Sequence, residues 1–229
     1  MFLLTQPRTG SGLLAELVAS LPGFGVSCGE VLHPQAPRGI PGRAFRVRPM
    51  HHIAWSLAAA APGRGVAVLH MGHLRRAGIA IDDLALRWPD ARFLATYRRS
   101  LGDMFVSGIV AQRTKQWSLL PGEAVRRPDP FVVQPTRLAG FVAERTRAFD
   151  EVLTHPVVRR AGAAIAFEDL AADPSAVFEA QVLPLLGLPP NPLGTPQRRR
   201  QRDYELEDLV ANIDEVRDLL ATTYEPPRA

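Results

Sequence analysis

Short apolar runs alternate with longer helical patterns along this chain, and that alternation constrains its fold class more than any other feature. Strands are predicted at Phe2–Gln6, Phe24–Cys28, Gly65–His70, Ala91–Tyr97 and Ala163–Phe167. Helical patterns fall at Gly12–Leu21, around His51–Ala60, and at Ile81–Trp88, Gly102–Lys115, Thr136–Leu153, Pro174–Leu186 and Glu205–Ala221. Within Thr136–Leu153, the spacing of Leu138, Phe141, Val142, Arg145, Phe149 and Val152 marks one packed helix face. The expected architecture is therefore α/β, a mostly parallel sheet flanked by helices, in a single domain over residues 1–229. Leu32–Pro49 and Ser118–Pro135 are rich in proline and read as loops, and Leu188–Thr195 reads as a turn or linker before the last helix.

Composition removes several function classes. With 46% hydrophobic and 22% charged residues the chain is an ordinary globular one, and its apolar runs fall far short of the ~20 residues that cross a bilayer. The stretch Met1–Arg8 has no basic region before its apolar residues, so a cytoplasmic location is expected. Cys28 is the only cysteine, which excludes an internal disulfide and a multi-cysteine metal site. The balance is 27 basic to 23 acidic residues, a formal charge of +4, and Lys115 is the only lysine. Guanidinium groups offer paired donors to planar oxyanions, so an arginine-rich chain suits phosphate or sulfate. Aromatics make up only 7% and no basic helix alternates with stacking residues, so nucleic acid is not an expected partner.

The first strand runs straight into Gln6-Pro7-Arg8-Thr9-Gly10-Ser11-Gly12, and a helix follows at Leu13. Strand, glycine turn and helix N-terminus present backbone N–H groups and a positive dipole end to an anion. Arg8, Thr9 and Ser11 add donors there. An ATP-type loop would carry a lysine after its glycines, and this one does not, which disfavours a kinase or ATPase. After the fourth strand, Arg99 closes the strand and Ser107 lies on the next helix, a pair able to converge on a phosphate at the carboxyl ends of parallel strands. Taken singly, each segment is also what a capped strand-to-helix turn or a surface arginine would look like.

Together these segments resemble a known family. Pro7-Arg8-Thr9-Gly10-Ser11-Gly12-Leu13-Leu14 resembles the loop that holds the 5′-phosphosulfate in sulfotransferases using 3′-phosphoadenosine 5′-phosphosulfate (PAPS). The stretch from Arg99 to Ser107 resembles the segment that holds the 3′-phosphate of that donor. Phe167-Glu168-Asp169-Leu170-Ala171-Ala172-Asp173-Pro174 is similar to a Y-E-D-L-x-x-D-P stretch found across sulfotransferases. Ala111–Trp117, and the C-terminal region from Arg199 and Arg200 to Val216, are similar to bacterial carbohydrate sulfotransferases related to trehalose 2-sulfotransferase. Three departures stand out. Gly12 occupies a position that usually carries a hydroxyl, Lys115 replaces a glycine, and Ser100-Leu101 replaces Asp-Pro.

The resemblance implies a P-loop nucleoside-kinase-like sulfotransferase fold and PAPS as donor cosubstrate. It places the donor at Arg8, Thr9, Gly10, Ser11, Gly12, Leu13, Arg99 and Ser107, with Arg199 and Arg200 as a flap over the nucleotide. The partner is then a small-molecule hydroxyl acceptor, a carbohydrate or glycolipid by the narrower resemblance, and a homodimer is compatible with it. Sulfuryl transfer needs a base for the acceptor proton and positive charge on the departing phosphate. Arginine and backbone donors can meet the smaller charge of a sulfuryl group, so no metal is required, and histidine spacing along the chain discloses no zinc set. Arg8 is the expected leaving-group stabiliser. Glu30, directly after the second strand and expected beside the anion loop, is the first candidate base, a role the resemblance also implies. His70, ending the third strand, is its rival. His33 and His73 are candidates for the acceptor pocket, and the adjacent His51 and His52 read as surface or core.

Other classes compete. Gly25-Val26-Ser27-Cys28-Gly29 matches the nucleophile elbow of α/β-hydrolases, although a helix should follow the serine and prolines follow instead. A nucleotide-binding module without catalysis, or a P-loop kinase that has lost its lysine, would also keep the phosphate motifs.

Overall fold

The computed structural model describes residues 1–33, 48–59, 64–119, 121–195 and 205–227. They fall into two compact units, Met1–Tyr97 with Val152–Thr195, and Arg98–Glu151 with Pro196–Ala229.

The first unit is built on five strands: β1 (Phe2–Thr5), β2 (Phe24–Glu30), β3 (Arg64–His70), β4 (Phe93–Tyr97) and β5 (Gly162–Ala166). All pairings are parallel, in the order β2-β3-β1-β4-β5. Every residue of β1 and β4 is buried, as expected for parallel strands covered on both faces. That burial explains their near-continuous apolar sequences. Leu14, Leu17 and Val18 of helix Ser11–Ala19 pack on Leu3, Val66, Val68 and Leu94 of the sheet, with Phe178 and Val182 in the same core. This is the predicted α/β architecture. Short helices Met71–Arg76, Pro156–Ala161 and Phe167–Ala172 join it where no helical pattern was evident, each only six residues long.

The second unit has its own core. Phe105, Val106 and Val110 of helix Leu101–Thr114 meet Leu138 of helix Pro135–Leu153, and Val216 and Leu220 of helix Ile213–Leu220. The predicted helix over Glu205–Ala221 is shortened to its second half. Its first half turns instead, because Val210 pairs with Phe131, whose N–H donates to the Leu209 carbonyl at 2.7 Å and whose carbonyl accepts from the Ala211 N–H at 2.9 Å. The Asn212 side chain then clamps Val133 through both its backbone groups at 2.9 Å. These long-range bonds outweigh the local helical preference.

The predicted helix Pro174–Leu186 is helical throughout, but Phe178–Val182 forms a π-turn between two α-helical pieces. Pro184 lies just beyond it, and proline lacks an N–H and clashes with the carbonyl four residues earlier, a sufficient cause for the local widening. Among the described residues no helix is long and apolar enough to cross a membrane.

Candidate functional site

In the first unit β1 ends at Thr5 and leads into a turn with two residues in the left-handed region, Arg8 at φ 69° and Gly10 at φ 78°. Left-handed backbone is unusual for arginine, and its use here folds the turn so that it feeds directly into helix Ser11–Ala19. Thr9 is fully buried and fixes the turn from beneath. Its hydroxyl donates to the Gln6 carbonyl at 2.8 Å and lies 2.7 Å from the hydroxyl of Thr96 on β4. Gly10 has no room for a side chain, because a Cβ there would overlap the Phe167 ring. The aromatic residue of the Phe167–Pro174 motif thus seats the glycine of the anion turn, and the motif's Asp173 caps the next helical turn by accepting from the Ala176 N–H at 3.0 Å. Ser11, Gly12 and Leu13 form the first turn of the helix, which has no side-chain cap and no acidic residue. No acidic side chain of that first turn offsets its positive end.

The two candidate bases, Glu30 and His70, are in contact. His70 Nε2 lies 3.1 Å from Glu30 Oε1. The expected place of Glu30, in a loop beside the anion turn, needs correction: it is the last residue of the edge strand β2, and β3 separates that strand from β1. Between Val26 and Glu30 the pairing with β3 shifts, so that Glu30 aligns with Val68. A bulge of this kind re-aims the residue that ends it. His70 is only 7% exposed and aligns with Thr5 of β1, the last strand residue before the anion turn.

Two further histidines join the pair. The His73 ring stacks on His70 with centroids 5.3 Å apart and meets His33 edge-on at 5.4 Å. Burial pushes the Glu30 carboxyl up, but contact with His70 and the positive potential of His70, His33 and His73 together outweigh it, leaving Glu30 below its ordinary value. Burial, with the neighbouring His70, lowers His73 to about 4. Glu30 is consequently a carboxylate and His73 a neutral imidazole at neutral pH. One donor atom from each of Glu30, His70 and His73 lies within 4.8 Å of the others, a metal-capable set that their spacing in sequence did not disclose. His52, left open between surface and core, is buried and bonds the Val31 carbonyl at 2.9 Å, whereas His51 is exposed.

Arg99 and Ser107 belong to the second unit. The Arg99 carbonyl accepts from the Tyr224 N–H at 2.8 Å, and Ser107 is half-buried on helix Leu101–Thr114. Ser100 caps that helix by accepting from the Asp103 N–H at 3.2 Å. Lys115, in place of a glycine, ends the helix at φ 57°, the left-handed conformation for which glycine is suited. Gln116 brackets the following loop through the Ala124 carbonyl and the Arg126 N–H, both at 3.1 Å. Arg199 and Arg200 lie outside the described residues.

The hydrolase elbow is not formed. Ser27 is inside β2, whose strand continues to Glu30, whereas the elbow needs a strand-to-helix turn at the serine.

No family model matches the chain, and no curated protein matches it by sequence. Among solved structures it is similar to a sulfotransferase from Alicyclobacillus acidocaldarius, with a TM-score of 0.57 at 15% identity over 96% of this chain and 90% of that one. Lower similarity, TM-score 0.49 in both cases, relates it to two further structures. One is mouse sulfotransferase SULT7A1 complexed with PAP (16% identity, 83% of this chain, 59% of that one). The other is the sulfotransferase domain from the curacin biosynthetic pathway (15% identity, 90% and 80%). A five-stranded parallel sheet flanked by helices is thus a fold held in common with the Alicyclobacillus protein: the chain has the sulfotransferase fold.

Proposed function

We propose that this chain transfers a sulfuryl group from PAPS to a hydroxyl of a small-molecule acceptor, with the Glu30–His70 pair receiving the acceptor proton. One observation carries the reading. The register Thr5↔His70 sets the end of β3, with its Glu30 contact, next to the strand that opens into the Arg8–Gly10 turn. A proton acceptor and an anion cradle therefore lie at the carboxyl ends of neighbouring parallel strands, where α/β sheets bind their ligands.

In this reaction the acceptor oxygen forms a bond to sulfur as the bond from sulfur to the bridging phosphate oxygen breaks. The hydroxyl proton passes to the His70 imidazole, and the Glu30 carboxylate stabilises the imidazolium formed. A carboxyl held below its ordinary value suits this second role better than that of a lone base, which favours a shared assignment over Glu30 acting alone. Arg8 and the backbone N–H groups from Thr9 to Leu13 take up the charge on the departing phosphate. Arg99 and Ser107 are assigned to the 3′-phosphate, and Arg199 and Arg200 to the nucleotide, on their motifs alone. No metal enters this chemistry. For the acceptor, a carbohydrate or glycolipid is favoured by the Ala111–Trp117 segment.

Calorimetric titration with adenosine 3′,5′-bisphosphate, beside ADP and AMP, tests the donor assignment. Selective binding of the bisphosphate that is weakened by Arg8→Ala and by Arg99→Ala is expected. Equal binding of ADP would turn the reading towards a general nucleotide module, and transfer of label from PAPS to a panel of sugars decides whether catalysis accompanies binding.

A further inference from the structure

The transfer proposed above uses no metal, yet the carboxyl end of β3 gathers a set of donors that suits one. We infer that Glu30, His70 and His73 form a binding site for a divalent transition-metal ion of the zinc type. Two imidazoles and one carboxylate are borderline donors that select zinc, cobalt or nickel over magnesium and calcium, which take oxygen ligands.

The geometry favours it further. Zinc bonds to nitrogen and carboxylate oxygen are roughly 2.0–2.2 Å long, so neighbouring ligands of a tetrahedral ion stand about 3.3 Å apart. Glu30 Oε1 and His70 Nε2, at 3.1 Å, already have that spacing. The donor of His73 lies within 4.8 Å of both and has only to swing inwards. Its buried Nδ1 has no hydrogen-bond partner among the described residues to give up in doing so. His70 ends a strand and His73 lies in the first turn of helix Met71–Arg76, so two of the three ligands stand on one short, continuous piece of backbone.

A consequence rests on the proposed function: a metal held by Glu30 and His70 occupies the groups that take the acceptor proton, so zinc would inhibit sulfuryl transfer. The site itself does not depend on that reading. It is tested on untagged full-length protein stripped with chelator, titrated with Co²⁺ and followed by its visible d–d absorption, then back-titrated with Zn²⁺. One equivalent bound, with Zn²⁺ displacing Co²⁺, is expected. Glu30→Gln and His73→Ala should each weaken binding about tenfold or more, and His51→Ala, at an exposed histidine elsewhere, should leave it unchanged. Circular dichroism and a His73→Gln variant separate lost ligation from lost folding. Binding without saturation at one equivalent, or binding unaltered in folded Glu30→Gln and His73 variants, would overturn the site. If the metal binds as described while the chelator-stripped protein never consumes PAPS, the transferase reading fails and the metal site stands; transfer that is indifferent to zinc in a protein that binds none does the reverse.

Discussion

Arg8 shows how one residue serves two demands that conflict. Its backbone occupies the left-handed region at φ 69°, at a cost of about 1–2 kcal/mol for a non-glycine residue, while its guanidinium is assigned to the departing phosphate. Arg8→Gly is therefore expected to leave the melting temperature at or above that of the parent while weakening adenosine 3′,5′-bisphosphate binding. Thermal melts beside calorimetry check both halves. Lys115 makes the complementary case at φ 57°, where Lys115→Gly should stabilise the protein by about 1 kcal/mol in a denaturant titration. At the paired groups, Glu30→Gln and His70→Ala should each lower kcat by on the order of 10²–10⁴, and the double variant should lose little more than either alone, because the two act as a unit. Additive losses would mean separate roles. The sequence identified both residues as base candidates but set them against each other, since nothing along the chain shows that β2 and β3 bring their side chains into contact.

At the scale of the elements, the turn after β1 depends on a packing partner far away in sequence. Phe167 covers Gly10, so Gly10→Ala forces both a strained φ and an overlap with the ring. It should lower stability by ~2 kcal/mol or more and abolish bisphosphate binding, whereas Gly23→Ala, at a positive φ in open space, should cost stability without touching the donor. Chemical denaturation and calorimetry on the two variants make the comparison. The strands and the longer helices were legible because their apolar periods are local properties of the chain. The helix at Glu205–Ala221 was overread for the opposite reason: its amphipathic pattern continues through Leu209 and Val210, but both are buried by pairing with the Phe131 segment rather than by helix packing.

For the molecule as a whole, the cluster at the end of β3 sets a pH dependence of stability. Glu30 is lowered in the folded state, so the stability it contributes is present above the ordinary carboxylate range and is lost as pH falls through its folded value. His73 is lowered from 6.5 to about 4, so between those values the unfolded chain binds a proton that the folded one does not. Both effects have the same sign. The chelator-treated protein should lose thermal stability as pH falls from about 6.5 towards 4, and His73→Gln should flatten that slope in melts across the range. What the sequence by itself determined was the class of fold, the glycine turn between β1 and its helix, and the identity of the groups able to carry charge or a proton, because each is encoded within a few consecutive residues. Only the tertiary structure decided that β3 stands between β2 and β1, that Glu30 and His70 touch, that His73 completes a set of metal donors with them, and that Phe167 holds Gly10 in place. Those outcomes depend on strand order and on side chains that meet across a sheet, and such contacts are selected by the burial of a shared core rather than by any short stretch of the chain.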